Sequence, residues 1–144
     1  MEESRLLSVV HLFLIRDGQV LLLRRKNTGR HDGEYGLPAG RLERGEQLHE
    51  AAIREAYEEC GAVIEATDLA MLGTMHIREL GSERIDFFFS VEKWSGEICN
   101  MEPDKCDDLR WFPANACPEN VIPYVREAWS AFRGGAWFSS YGWG

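Results

Sequence analysis

The sequence predicts an α/β protein folded as one domain over residues 1–144, and three observations support that fold class. First, two apolar runs rich in Val, Leu and Ile flank Asp17-Gly18, a dipeptide favoured in tight hairpin turns, so an antiparallel strand pair is expected. Second, helices are expected at Gln47–Cys60 and Val121–Arg133. Third, two long strand-like runs lie between these helices, and no linker or composition shift divides the chain.

The N-terminal half is interpreted in chain order from its apolar runs and its turn residues. The expected elements are strands at Leu6–Ile15 and Val20–Arg25, a polar loop at Asn27–Gly33, a short strand at Tyr35–Leu37, an irregular segment at Ala39–Gly45 and the helix at Gln47–Cys60. Gly61 is placed to end the helix, because glycine readily adopts the left-handed conformation of a C-terminal cap.

The C-terminal half continues with strand-like runs at Leu69–Leu80 and Arg84–Trp94, joined at Gly81-Ser82. In the second run apolar and polar residues alternate, with Phe88 as the exception, which predicts a half-buried strand. A short strand is expected at Leu109–Phe112. The aromatic tail 136–144 has four aromatic residues, which disordered tails seldom have, so it is expected to pack on the domain or on a partner subunit.

Composition and charge restrict the possible partners. Sixteen Lys and Arg against 24 Asp and Glu give a net charge of −8, which argues against binding to nucleic acid or to an anionic membrane surface. A small polyanionic substrate stays possible, because a bound divalent cation inverts the local field. The apolar run 6–15 is too short to span a bilayer, and the acidic residues before it do not fit a signal peptide.

The four cysteines form no C-x-x-C pair, and no secretory signal is recognised, so they are interpreted as reduced thiols in a cytoplasmic protein. They are expected to be packing residues without chemistry of their own.

The helix at 47–60 carries Glu55, Glu58 and Glu59 within an arc of roughly 100°, at 100° per residue. That arc overlaps the small apolar residues that should pack, where an unpaired carboxylate is costly, so a cation is expected to meet the glutamates. Carboxylate oxygens suit Mg²⁺, Mn²⁺ or Ca²⁺ rather than zinc. The alternative is a solvated acidic face without a ligand.

The stretch from Gly40 to Ala62 resembles the Nudix box, G-x5-E-x7-R-E-U-x-E-E-x-G-U, where U is a bulky aliphatic residue. Every fixed residue is present, namely Gly40, Glu46, Arg54, Glu55, Glu58, Glu59 and Gly61. The two U positions depart from the pattern because they hold Ala56 and Ala62, which stay apolar but pack less tightly. Glu34–Pro38 and Asn100–Phe112 are similar to the wider pattern of the MutT-like branch, and the likeness covers most of residues 5–133.

The resemblance implies the Nudix α/β/α sandwich, with a mixed sheet between helices. It also implies a hydrolase that acts on a nucleoside diphosphate linked to another group and uses Mg²⁺, with Mn²⁺ as a substitute. By that resemblance the metal is held by Glu55, Glu58, Glu59 and the Gly40 carbonyl. Arg54 orients the carboxylates, and Glu46 pairs with Arg54 to fix the loop against the helix. One of the glutamates, or a residue from a later loop, takes the proton of the attacking water.

Three residues outside the box are candidates for substrate binding. Glu102 stands in a polar loop that is able to close over the metal, and simple loop capping is its alternative role. Arg30 lies in the loop 27–33, interpreted either as a solvated loop or as a lip over the substrate. Trp111 is interpreted either as a stacking platform for a base or, since it lies on a strand, as a core residue.

The substrate is narrowed by elimination within the family. Met75–Ser82 reads MHIRELGS, without the proline typical of ADP-ribose enzymes or the tyrosine typical of dinucleoside polyphosphate enzymes. The expected substrate is therefore a nucleoside triphosphate, oxidised ones included, cleaved to monophosphate and pyrophosphate. The alternatives are a nucleotide-sugar or ADP-ribose pyrophosphatase, a nucleotide-binding sensor without efficient turnover, and a calcium-binding structural domain. A homodimer is expected, because dimers are common in the family.

Overall fold

The computed structural model describes residues 2–132 and 134–144, and it contains two α-helices, α1 and α2, and eight strands, β1–β8. The strands are β1 Leu7–Arg16, β2 Gln19–Arg25, β3 Tyr35–Gly36, β4 Ala39–Arg41, β5 Leu69–Glu79, β6 Ser82–Val91, β7 Cys106–Pro113 and β8 Trp137–Tyr141. The helices are α1 Leu48–Cys60 and α2 Pro123–Ala131, with a short 3₁₀ turn at Ala66–Asp68. The described helices include none long and apolar enough to cross a membrane.

The strands form one mixed sheet in the order β3-β2-β1-β6-β5-β8, with β4 paired to β1 and β7 paired to β2. Strand β1 is central: it runs parallel to β6 from Leu7 opposite Arg84 to Leu14 opposite Val91, and antiparallel to β4. It meets β2 only at the hairpin, where Ile15 lies opposite Val20. The N-terminal half of β1 is thus left beside β4, the strand that opens the Nudix-like stretch.

Two hydrophobic clusters lie on opposite faces of the sheet, since successive strand residues point to opposite sides. Val10, Leu12 and Leu14 pack against α1, while Phe13 packs on the other face against α2. A helix therefore covers each face, and the expected α/β/α sandwich with a mixed sheet is confirmed. Ala56 is fully buried, which shows that its small side chain suits close packing of α1 on the sheet.

Helix α1 follows its sequence signals closely. It ends at Cys60, and Gly61 caps it in the left-handed conformation with φ of 77°. The Gly61 amide donates to the Tyr57 carbonyl oxygen, as predicted for a C-terminal cap. At the start, Gln47 and Glu50 form a reciprocal capping box.

Four expectations about the elements need correction. Ala39–Arg41 is strand β4 rather than irregular, because it pairs with β1. Strand β7 begins at Cys106, three residues before the expected start at Leu109, because its first residues include the polar Asp107 and Asp108. In the first part of strand β6 the side that carries Arg84, Asp86 and Phe88 is more buried than the side that carries Ile85 and Phe87, and Asp86 is 0% exposed. Finally, α2 spans Pro123–Ala131 and is shorter than expected, and Arg133 lies outside the described residues.

The aromatic tail packs on the domain and forms a strand. Within it, β8 pairs in parallel with β5, from Trp137 opposite Gly73 to Tyr141 opposite Ile77. A side chain on Gly73 would collide with the Trp137 indole, so this glycine lets the tail lie flat on the sheet. The tail therefore completes one edge of the sheet.

Candidate active site

Helix α1 presents its three predicted glutamates unequally. The side chains of Glu55 and Glu58 are 12% and 50% exposed, and Glu59 is partly buried. The expectation that all three point toward the packed side is wrong for Glu58, which faces solvent. Each residue rotates the direction by about 100°, so Glu58 and Glu59 cannot share one direction.

Arg54 reaches from α1 back to the loop that precedes it. Its Nε and Nη2 atoms lie 2.7 Å and 3.0 Å from the two carboxylate oxygens of Glu46, and Nη2 also donates to the Arg41 carbonyl oxygen at 3.0 Å. Its Nη1 atom donates to Glu55 Oε1 at 2.7 Å. Hydrogen bonds to Glu46, and then to Glu55, raise the pKa of Arg54, so the guanidinium stays charged. The pairing expected between Glu46 and Arg54 is present.

Strand β4 brings its backbone directly to the carboxylates. A Cβ atom on Gly40 would overlap the carboxylate of Glu55, so only glycine allows this approach. The neighbouring Ala39 amide donates to Glu59 Oε2 at 2.7 Å. The structure therefore brings Gly40, Glu55 and Glu59 to one place, with Glu58 at its exposed margin.

The carboxylates at this place repel one another. Burial, and next the charge of Glu55, raise the pKa of Glu59 well above its ordinary value. Burial raises the pKa of Glu55 as well, although Arg54 opposes the shift. Crowded oxygen donors of this kind suit a hard divalent cation.

A complete metal cage is not formed by side chains alone. Within the described ranges no three His, Cys, Asp or Glu side chains converge closely enough to hold an ion. Mg²⁺ does not need such a cage, because it usually keeps several waters and binds through one or two carboxylates together with substrate phosphates. Glu55, Glu59 and the backbone at Gly40 therefore fit Mg²⁺ in the chemistry of their donor atoms.

A small cavity of about 50 Å³ lies beside Glu59 and also contacts Glu102, Arg25 and Lys105. The structure thus brings Glu102, a residue of a later loop, to the same site. Burial, followed by the charges of Glu58 and Asp104, raises the pKa of Glu102. Two cations and two carboxylates meet here, an arrangement that suits a charged ligand.

A larger cavity of about 260 Å³ opens on the other side of β4 and is lined by Ala39 and Gly40. Four arginines line it, in a protein whose net charge is −8. They are Arg25, Arg30, Arg41 and Arg84. Among the residues that the structure describes, the first three form no ion pair with a carboxylate, so their charge is available to an anion. Arg30, one of the predicted substrate-binding residues, is therefore well placed.

Arg25 was missed by the sequence-based reasoning, although it lines both cavities. Its Nε atom donates to the Arg30 carbonyl oxygen at 2.7 Å, and its Nη2 atom donates to Thr28 Oγ1 at 3.1 Å. In the sequence it is merely the second of two arginines that end an apolar run. The position of its side chain depends on how β2 pairs with its neighbours, which the sequence does not show.

Trp111 lies away from these cavities. It is about 17 Å further along β7 than Cys106, at about 3.3 Å per residue, and Cys106 lines the small cavity. Its ring stacks on Trp94 with a centroid distance of 6.1 Å, and the guanidinium carbon of Arg16 lies 4.5 Å from its centroid. The geometry favours a packing role for Trp111 over a stacking platform for a base.

The fold and the site define the class of protein: an α/β/α sandwich in which a glutamate-bearing helix meets a glycine-containing strand beside an arginine-lined cavity. The chain belongs to the Nudix family, since the NUDIX domain model matches residues 5–131. It is a MutT-like member of that family. The solved MutT NUDIX hydrolase of Burkholderia pseudomallei is 26% identical and superposes with a TM-score of 0.82, covering 89% of this chain and 98% of the other.

Curated relatives carry different activities in their names. The putative 8-oxo-dGTP diphosphatase of Bacillus subtilis is 30% identical over 118 residues, which are 82% of this chain and 73% of that protein. The ADP-ribose pyrophosphatase of Methanocaldococcus jannaschii is 29% identical over 111 residues, which are 77% of this chain and 64% of that protein. Nudix hydrolase 2 of Arabidopsis thaliana is matched over only 37% of its length. The chain thus corresponds to part of the length of some relatives.

Proposed function

We propose that the protein is a Mg²⁺-dependent hydrolase that cleaves a diphosphate linkage in a nucleoside diphosphate-X substrate. The substrate is a nucleoside triphosphate, oxidised forms included, and the products are a monophosphate and pyrophosphate. The observation that carries the proposal is the meeting of Glu55 and Glu59 with Gly40 at the margin of the arginine-lined cavity. Carboxylates for a cation and arginines for phosphates thus lie on two sides of one strand.

Each residue of the site has a defined task in this proposal. Glu55, Glu58, Glu59 and the Gly40 backbone hold the cation, Mn²⁺ being a substitute. When bound, the cation neutralises phosphate charge and favours hydroxide near neutral pH. Arg54 and Glu46 keep the carboxylates and the loop in place. Arg25 and Arg30 bind phosphate oxygens, and this positioning supplies much of what phosphoryl transfer requires.

The proton of the attacking water goes to a carboxylate. Glu102 is the candidate, because it lines the small cavity beside Glu59 without being assigned to the cation, and burial raises its pKa. A raised pKa brings a carboxylate closer to the working pH, which favours general-base catalysis.

Two other activities compete with triphosphate hydrolysis. A nucleotide-sugar or ADP-ribose pyrophosphatase would use the same site, and the name of the Methanocaldococcus relative favours that candidate. A nucleotide sensor without turnover belongs to another class, and the complete set of box residues argues against it.

The experiment that tests the proposal is a hydrolysis screen with Mg²⁺ over nucleoside triphosphates, oxidised nucleotides, nucleotide sugars and dinucleotides, with the products identified. Triphosphate cleavage to monophosphate and pyrophosphate is expected to be the fastest reaction. If ADP-ribose or a nucleotide sugar is cleaved faster than any triphosphate, the proposed substrate is wrong and the faster one takes its place. Nucleotide binding without turnover in either Mg²⁺ or Mn²⁺ would identify a sensor.

Two properties of the whole molecule belong to the same proposal. The protein acts in the cytoplasm, which agrees with cysteines that are all free in the described residues. It forms a homodimer, and the support for this is the uncharged edge strand β8, which exposes the aromatic side chain of Phe138. Light scattering at micromolar concentration tests the dimer, and the mass of a single chain would contradict it.

A further inference from the structure

The larger cavity contains three buried polar side chains to which the proposed hydrolysis assigns no task. They are Glu79 at the end of β5, Arg84 on β6 and Tyr124 in the first turn of α2, and all three line the cavity. Arg84 and Tyr124 are each only 7% exposed, and the side chain of Glu79 is 12% exposed. Side chains buried to this extent have fixed orientations, as a recognition site requires.

Arg84 is held by two carboxylates that leave one of its nitrogens free. Its Nε donates to Asp86 Oδ1 at 2.9 Å, and its Nη1 donates to Glu79 Oε1 at 3.2 Å. Its Nη2 has no hydrogen-bond partner in the described part of the chain, and it remains accessible to solvent. Because a guanidinium nitrogen only donates, Nη2 is a fixed donor available to a ligand.

Tyr124 supplies a second free polar atom next to Arg84. The guanidinium carbon of Arg84 lies 4.8 Å from the centroid of its ring, and the His11 ring packs against it at 5.6 Å. Within residues 2–132 and 134–144 the hydroxyl makes no hydrogen bond, and it too is not sealed from solvent. Burial raises the pKa of Tyr124 to about 12, so the hydroxyl keeps its proton and can donate.

Glu79 completes the set with an acceptor. Its Oε1 accepts from Arg84, and His31 Nε2 lies 3.1 Å from the same oxygen. Its Oε2 has no partner in the part of the chain that the structure describes, and it is likewise open to solvent. Two hydrogen-bond donors and one acceptor therefore line the same cavity, and none of the three has a partner among the described residues.

The pattern matches one kind of heterocycle edge. A ring carbonyl oxygen beside a ring N–H, a lactam edge, offers an acceptor to Arg84 and Tyr124 and a donor to Glu79. Guanine, hypoxanthine and uracil have this edge, whereas adenine and cytosine place an amino donor where the carbonyl would be. At about 260 Å³ the cavity is slightly smaller than those that enclose drug-sized ligands, about 300 Å³ and more, so it suits a single base.

We propose that Arg84, Tyr124 and Glu79 read the lactam edge of a base seated in this cavity and so make the enzyme select guanine, hypoxanthine or uracil nucleotides over adenine and cytosine nucleotides. The proposal rests on the proposed function, since it names the base of the substrate cleaved at the adjoining site. A wrong edge sets donor against donor and leaves buried groups unpaired, which is how a polar site rejects an analogue.

The first test compares kcat/KM for GTP, ITP and ATP with Mg²⁺, together with calorimetric binding of GMP and AMP in EDTA. GTP and ITP should exceed ATP by about tenfold or more, the effect of leaving a buried polar group unpaired. GMP should bind more tightly than AMP, so the base preference can be read even if turnover is absent.

The second test changes single polar atoms of the residues proposed to contact the base. Tyr124→Phe should lower the GTP-to-ATP ratio about three- to tenfold, the effect of one lost hydrogen bond. Glu79→Gln keeps an oxygen that can accept from Arg84 and places an amide donor where Oε2 was. The donor suits the ring nitrogen of adenine rather than the N–H of guanine, so the GTP-to-ATP ratio of kcat/KM should fall further. Tyr57→Phe is the matched control: this tyrosine is exposed on α1 and lines neither cavity, so the loss of its hydroxyl should leave the ratio unchanged.

The outcomes separate the two proposals. If no nucleotide is hydrolysed, the proposed function fails, while the GMP and AMP affinities still test the base preference. If nucleotides are hydrolysed but GTP and ATP have equal kcat/KM, the lactam reading is wrong and the hydrolase assignment stands. An unchanged ratio in a folded Tyr124→Phe variant would likewise overturn it, since a merely structural tyrosine would alter stability without altering base preference.

Discussion

Arg54 and Glu46 are joined by two parallel contacts, Nε to Oε2 at 2.7 Å and Nη2 to Oε1 at 3.0 Å. Arg54 belongs to the middle of α1, and Glu46 belongs to the loop after β4. Such a two-point contact fixes direction as well as distance. It therefore holds the loop, and with it Gly40, in register with the glutamates of the helix.

Glu46→Gln should weaken this connection in a pH-dependent way. The hydrogen bond from Arg54 lowers the pKa of Glu46 below 4.5, so the contribution to stability is present above that pH and is lost as the pH falls through the folded-state pKa. At pH 7 the variant should be about 1 kcal/mol less stable and about tenfold less active. Urea unfolding at pH 7 and pH 3.5 measures the difference, which should shrink at the lower pH.

Glu43→Gln provides the control in the same loop. Glu43 is 69% exposed and lies 3.8 Å from Arg54 Nη1, so its loss should change neither stability nor rate measurably. Equal effects of the two substitutions would show that the bidentate geometry at Glu46 has no special importance.

Glu59→Gln should reduce turnover about a hundredfold or more while the protein stays folded. Burial and the charge of Glu55 raise the pKa of Glu59, so the charged form costs stability above pH 4.5, and a neutral amide removes that cost. In EDTA at pH 8 the variant should therefore melt at the same temperature as the wild type or higher. The exposed Glu92→Gln is the control, and a wild-type rate in Glu59→Gln would show that the site is assigned wrongly.

Gly40→Ala tests the close approach of β4 to the helix. The added methyl group would overlap the Glu55 carboxylate, so that side chain must move and kcat should fall at least tenfold. Overpacking should also cost about 1–3 kcal/mol, measured by chemical unfolding. In Gly134→Ala the new atom meets its nearest neighbour at an ordinary 3.5 Å, so this control should behave like the wild type. A fully active Gly40→Ala would place the reaction elsewhere.

Trp111→Leu should separate stability from activity. The substitution removes a ring that stacks on Trp94 and lies under Arg16, at a cost of about 1–2 kcal/mol. Because Trp111 lines neither cavity, kcat/KM should stay within twofold of the wild-type value. A large increase in KM with unchanged stability would restore Trp111 as a platform for the base.

Alkylation with iodoacetamide at pH 7.5 should distinguish the cysteines by their surroundings. Cys99 is exposed and should react first, whereas burial raises the pKa of Cys60 to about 12 and also encloses it. Mass spectrometry of the native and the guanidinium-unfolded protein should show Cys60 modified only after unfolding. Rapid modification of Cys60 in the native protein would contradict the packing of α1 on the sheet.

The sequence predicted best those parts that depend on neighbours in the chain. The end of α1 at Gly61 follows from the conformational preference of glycine after a helix, and the pairing of Glu46 with Arg54 was expected from the resemblance to the Nudix box. Glu58 was misplaced because a helical wheel gives directions but does not show how deep the partner surface lies. The exposure of each glutamate depends on which element packs against that side of α1, and strand β4 covers Glu59 but not Glu58.

The lining of the larger cavity could not be predicted from the sequence, for a different reason. His11 Nε2 lies 2.7 Å from Asp86 Oδ2, although the two residues are far apart in sequence. Their contact depends on the parallel register of β1 and β6, which an alternating pattern does not specify. In the sequence Arg84 and Asp86 resemble the polar side of a half-buried strand, and only the second helix layer turns that side into an interior.

The elements that line the larger cavity come from widely separated parts of the chain, so its shape exists only after β1, β2, β4, β5, β6 and α2 have all docked. Contacts of such long sequence separation form late and slowly during folding, because loop closure must precede them. Partly folded chains should therefore be unable to retain a nucleotide. Nucleotide added during refolding should leave the rates of the early phases unchanged, because it binds and stabilises only the fully folded protein.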